Sequence, residues 1–160
     1  MAVEVQVFGV ILDDENKIPV VILRAVEGDE TLPIQIGFAE AAAIAAAIEK
    51  VTLPRPMTHD LLYSAVVALG GRVEKVEVTD LKDGTFYALI TFSQGERQVE
   101  VDSRPSDAIA LALRARAPIF VADSVFAKLE PQDFTEASRQ KWLGFLQALK
   151  TGKDDKDLMM

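Results

Sequence analysis

The chain has 160 residues, no cysteine and a formal net charge of −8, with 49% hydrophobic and 26% charged residues. That composition describes an ordinary soluble globular domain with room for a substantial core, and it excludes a disulfide framework, a thiolate metal centre and a cysteine nucleophile. The acidic balance opposes tight nonspecific binding to nucleic acid, since Lys and Arg contacts to phosphate supply most of that affinity, although Arg55, Arg104, Arg114 and Arg116 could form a local basic cleft.

Residues Val3 to Leu12 alternate Val3, Val5 and Val7 with polar Glu4 and Gln6, which predicts a strand. Asp13 to Lys17 then reads as a hairpin turn, Ile18 to Ala25 as a second strand, Gly28-Asp29-Glu30 as a second turn and Leu32 to Ile36 as a third, short strand. At Phe38 the period becomes helical, with Ile44, Ile48 and Val51 at i, i+4 and i+7 in an alanine-dense run suited to close packing on a sheet. Pro54-Arg55-Pro56 must end that helix, because proline lacks an N–H and holds the preceding residue extended.

Thr58 is the expected N-cap of a second helix carrying the stripe Leu62, Ala65, Val66 and Leu69, which Gly70-Gly71 stops. Strands are predicted at Val73–Thr79 and Thr85–Phe92 across the connection Asp80 to Gly84, with a third at Arg97–Val101. From Pro105 to Arg116 the chain is helical and apolar almost all round, apart from its arginines, so this helix should be central. A last short strand is expected at Pro118–Val121. Asp133-Phe134-Thr135-Glu136 then has capping-box spacing ahead of the stripe Trp142, Phe145, Leu146 and Leu149.

The fold expected from this order is α+β, a largely antiparallel sheet with three packed helices and an appended C-terminal helix. Its organisation reads as a domain over 1–130, a C-terminal helix over 131–152 and a fraying charged tail over 153–160. Both halves share a strands-then-helix layout and an Arg-Pro element. The opening Met-Ala-Val-Glu-Val lacks the basic start of a signal peptide, and no stretch reaches the ~20 apolar residues of a membrane span, so a cytoplasmic protein is expected. Apolar faces in excess of what one small domain buries point to a homodimer or other homo-oligomer.

Chemistry concentrates in Pro54-Arg55-Pro56-Met57-Thr58-His59-Asp60 and in Val101-Asp102-Ser103-Arg104-Pro105-Ser106-Asp107. Each sets Arg-Pro and then hydroxyl and Asp residues ahead of a helix, whose unpaired N–H groups and dipole attract anions while a nearby aspartate can hold a cation. His59, the only histidine, can serve as a general base or metal ligand, or can be a polar first-turn residue making one hydrogen bond. Asp60 and Asp107 can be catalytic, or simply favourable against the helix dipole, and Arg55 and Arg104 can bind phosphate or bridge those aspartates. Asp102, at a strand end, can join Asp107 in offering oxygens to Mg²⁺ or Mn²⁺. Turn chemistry accounts for Asp80 and Asp83, and the dipole for Glu40. No Gly-rich nucleotide loop, EF-hand, zinc signature or nucleophile elbow is present.

Together with Leu32-Pro33-Ile34-Gln35-Ile36-Gly37 and Asp80-Leu81-Lys82-Asp83-Gly84-Thr85-Phe86, these two motifs resemble the bifunctional nuclease domain family, over about Val3 to Leu129. The resemblance implies a metal-dependent phosphodiesterase acting on DNA and RNA with little sequence preference. In that reading Asp60, Asp102 and Asp107 hold Mg²⁺ or Mn²⁺ and activate water, His59 transfers a proton, and Arg55 and Arg104 neutralise the scissile phosphate. The alternative is a non-enzymatic regulatory module in which the same groups bind an anionic small molecule or protein partner; the net charge favours it.

Overall fold

The structure, a computed structural model, describes residues 1–13 and 17–129. The residues from 130 on, with the expected C-terminal helix, the Trp142 stripe and the charged tail, lie outside the described residues, as does the tip of the first turn. Seven strands form one sheet: β1 (Ala2–Leu12), β2 (Pro19–Ala25), β3 (Thr31–Gln35), β4 (Arg72–Lys82), β5 (Thr85–Gln94), β6 (Arg97–Ser103) and β7 (Ile119–Ala122). Their order is β3-β2-β1-β7-β4-β5-β6. Two antiparallel meanders, each followed by a helix, are joined through β7, which runs antiparallel to β1 and parallel to β4. The α+β expectation and the strands-then-helix layout of both halves hold.

The helices are α1 (Phe38–Ile48), α2 (Thr58–Ala68), α3 (Pro105–Ala115) and α4 (Asp123–Lys128). Helix α3 sits between α1 and α2 and over β4 and β5. Its Ile109, Ala110, Leu111 and Ala112 are fully buried, which is why its sequence is apolar around nearly the whole circumference. The short α4 was not expected from the sequence; a single turn and a half around Val125 offers too little periodicity to read.

Hairpin β4–β5 turns on Asp83-Gly84 alone, both at positive φ (51° and 76°), and Lys82 pairs with Thr85. Asp80 and Leu81, expected in the connection, belong to β4, because a two-residue turn of this hand matches the strand twist and leaves them to pair. Lys128 Nζ reaches Asp80 Oδ1 at 2.6 Å, tying α4 to β4, and this ion pair followed by the Leu81 N–H holds the half-buried Asp80 carboxyl below its ordinary pKa.

The helices depart from the sequence-based expectation at three points. Val51 lies beyond α1 and is exposed, because Lys50 adopts the left-handed conformation (φ 54°) and the chain reverses with Val51 N–H donating to Ala46 O at 2.9 Å. Met57, not Thr58, is the N-cap of α2. Gly70 and Gly71 do stop α2, donating to Val67 O and Val66 O at 3.0 and 2.8 Å. The third departure concerns the face of α2: His59, Tyr63 and Val66 turn inward, whereas Leu62, Ala65 and Leu69 of the expected stripe are exposed, Leu69 by 75%.

Candidate active site

Each of the three long helices carries an acid at its third position: Glu40 in α1, Asp60 in α2 and Asp107 in α3. A carboxylate there meets the positive end of the helix dipole and its unpaired N–H groups. In α2 the Met57 N–H donates to Asp60 Oδ2 at 3.0 Å, closing the first turn. The three first turns converge, so the three acids face one cleft.

Two arginines tie the helices together. Arg104, the N-cap of α3, donates from Nε to Asp107 Oδ2 at 2.9 Å and from Nη2 to Glu40 Oε1 at 2.8 Å. Arg114, near the end of α3, donates from Nε to Asp60 Oδ1 at 2.6 Å, from Nη1 to Ala110 O at 2.9 Å and from Nη2 to Ala43 O at 3.2 Å. Only 11% of its side chain is exposed. One guanidinium thus satisfies groups of α1, α2 and α3 at once, which a Lys with its single point charge would not do.

His59 is 7% exposed, and its Nε2 lies 2.8 Å from Asp107 Oδ1. Burial pushes the Asp107 carboxyl upward, but hydrogen bonds from Arg104 and His59 outweigh that and hold its pKa below the ordinary value. The Met57 N–H and then Arg114 do the same for Asp60, while Asp107 and then Glu40 raise the pKa of Arg104. An ionised carboxylate only accepts hydrogen bonds, so His59 Nε2 must carry the proton that meets Asp107. In the neutral ring that leaves Nδ1 with the lone pair, the form a general base needs.

The cleft has a volume of about 700 Å³ and is lined on one side by the alanine-rich flank of α1. His59 and the three acids line it together with Lys50, Arg104, Arg114 and Arg116. The net negative chain therefore holds a locally balanced site. Arg104 also borders a smaller cavity of about 430 Å³, with Gly37, Gly84 and Ser106.

Of the residues expected in the site, the fold brings together His59, Asp60, Arg104 and Asp107. It leaves out two. Arg55 is exposed in the loop before α2 and makes no hydrogen bond or ion pair with the described residues, and Asp102 is exposed on the edge strand β6, paired in the sheet with Leu89. Neither lines the cleft. The expected metal set of Asp60, Asp102 and Asp107 is not gathered, and among the described residues no three His, Asp or Glu side chains converge to hold a metal ion. Asp60 and Asp107 are engaged by Arg114 and by Arg104 with His59 instead. Glu40 and Arg114, by contrast, belong to the site although the reading gave Glu40 a dipole role and Arg114 only general basicity. A lone arginine inside the most apolar helix was the signal for the second.

Residues 21–132, well over half of the chain, match the bifunctional nuclease domain. The chain belongs to the bifunctional nuclease domain family. The match spans α1, α2 and α3 with the cleft they enclose, so the site lies wholly inside the family domain. An uncharacterised protein of Mycobacterium tuberculosis is 45% identical over 125 residues, covering 78% of this chain and 74% of its own. Bifunctional nuclease 1 of Arabidopsis thaliana is 30% identical over 114 residues, and bifunctional nuclease 1 of Oryza sativa subsp. japonica 28% over 105. These alignments cover 69% and 63% of this chain but only 35% and 32% of the plant proteins, so this chain spans about a third of the length of each. Among the described residues no helix is long and apolar enough to cross a membrane.

Proposed function

We propose that this domain hydrolyses phosphodiester bonds of DNA and RNA with little sequence preference, in the cleft where the first turns of α1, α2 and α3 meet. The observation that carries the proposal is the 2.8 Å contact of His59 with Asp107 inside that cleft, in a chain of the bifunctional nuclease domain family. Asp107 fixes the His59 ring, and Nδ1 takes the proton of an attacking water. Arg104 uses two of its five N–H donors on Asp107 and Glu40, so the others are available to phosphate oxygens as charge develops on them. Lys50 and Arg116, which also line the cleft, add positive charge along the nucleic-acid backbone.

Metal dependence was expected from the resemblance, but the described residues do not fit that group as a preassembled ligand set, and no step is assigned to Mg²⁺ or Mn²⁺. A second reading, a non-enzymatic module for an anionic ligand, is favoured by one specific observation. Glu40, Asp60 and Asp107 are all already paired with arginines, as in a purely structural clasp between helices.

Incubating the purified full chain with single-stranded DNA and with RNA, in Mg²⁺ or Mn²⁺ and in chelator, separates the two. Cleavage of both polymers supports the nuclease, and the chelator arm measures its metal requirement. Absence of turnover under every condition, with thermal stabilisation by phosphate or nucleotides, would make the binding module the correct reading.

A further inference from the structure

Helix α2 turns its more apolar face outward. Leu61, Leu62, Ala65, Ala68 and Leu69 follow one another at i, i+1, i+4, i+7 and i+8, and all are exposed, Leu61 by 60%. No charged residue interrupts positions 61–69. A contiguous apolar surface of this kind marks an interaction site, because scattered single residues are normal on a soluble domain and a continuous stripe is not.

The same chain supplies a matching stripe. Trp142, Phe145, Leu146 and Leu149 recur at i, i+3, i+4 and i+7, flanked by Arg139, Lys141 and Lys150. The two stripes repeat at the same helical spacing and span nearly equal stretches of sequence, positions 61–69 and 142–149.

We infer that the segment carrying Trp142, Phe145, Leu146 and Leu149 docks on the exposed stripe of α2 in its own chain. The chain leaves the described fold at Leu129, just after α4, and α4 packs on β4, the strand on which α2 also packs. Even the full length of β4, eleven residues, is shorter than the extended span from Leu129 to Trp142, at about 3.3–3.6 Å per residue. One intramolecular contact covers both stripes at an effective concentration on the order of millimolar. A dimer built on α2 alone would leave the stripe at 142–149 exposed in both copies. The inference is independent of the nuclease reading.

Trp142 is the only tryptophan, so its emission reports this contact without labelling. In the full chain it should be blue-shifted and shielded from acrylamide, unchanged from sub-micromolar to high micromolar protein. Leu62→Ser/Leu69→Ser, at positions exposed in the fold, should shift the emission to the red and raise quenching severalfold with an unchanged circular dichroism spectrum. Tyr87→Ser, on β5 away from α2, should leave both as they are. Emission in the double variant equal to that of the unaltered chain would overturn the inference. So would a blue shift that develops only as light scattering records a doubling of mass, which would make a second copy of the chain the occupant.

Discussion

His59 and Asp107 lie 48 residues apart in the chain and meet at 2.8 Å, Nε2 to Oδ1, across the junction of α2 with α3. The second oxygen of Asp107 is held by Arg104, so the carboxylate cannot turn away from the imidazole without breaking an ion pair. Its ionisation determines the histidine tautomer, and through that which ring nitrogen is left for chemistry.

Nitrogen-15 NMR reads that tautomer directly, since the single histidine gives one set of ring signals. At neutral pH the unprotonated ring should carry its hydrogen on Nε2, and Asp107→Ala should abolish this preference. A ring protonated on Nδ1 in the unaltered chain would show that the contact does not orient His59 for proton transfer.

Arg114 joins three helices through Asp60, Ala43 and Ala110, so Arg114→Ala leaves Asp60 Oδ1 without its donor and removes the side-chain links to two carbonyls that keep only their helical N–H partners. The cost should be about 1–3 kcal/mol, read as a lower urea midpoint with an unchanged slope. Asp60→Asn should cost less, since Asp60 is far more exposed than Arg114. In the double variant the two effects should fall short of their sum, because each removes the same ion pair.

Acid should weaken the clasp. Asp107 and Asp60 both have folded pKa values below the ordinary 3.8, so the unfolded chain takes up protons first as pH falls. Their contribution to stability is complete above that value and is lost as pH drops through the folded values. Unfolding free energies from pH 7 to pH 2 should therefore decline at the acid end, and Asp107→Asn should decline less steeply over the same window.

Much of the fold is visible in the sequence because period and punctuation agree. The valine alternation of β1 and β4, Asp83-Gly84, the stop at Gly70-Gly71 and the all-round apolar α3 each follow from local chemistry. The face of α2 does not. Its buried side carries His59, Tyr63 and Val66 while its exposed side carries three leucines, so hydrophobicity selects the wrong face, and only the pairing of His59 with a residue 48 positions away identifies the right one.

The site was half legible for a similar reason. Arg-Pro followed by Asp marked Asp60, Arg104 and Asp107, since helix starts have a sequence signature. That pattern also marked Arg55 and Asp102, which the fold leaves outside. Arg104 is itself the N-cap of α3 with Pro105 inside the helix, whereas Arg55-Pro56 precedes the N-cap Met57, so the two elements are not equivalent. The links from Arg104 to Glu40 and from Arg114 to Asp60 bridge 64 and 54 residues and carry no local pattern at all.

The central claim is that the His59–Asp107 pair performs the proton transfer of phosphodiester cleavage, and rates of cleavage of one single-stranded DNA and one RNA by folded variants test it most directly. His59→Ala and Asp107→Ala should each lower turnover on both polymers by about 10²–10⁴-fold, and the double variant should be little worse than either alone, because the two residues act as a unit. Arg55→Ala, outside the cleft, should stay within a few-fold of the unaltered chain. Cleavage of either polymer by folded His59→Ala at the unaltered rate would contradict the account.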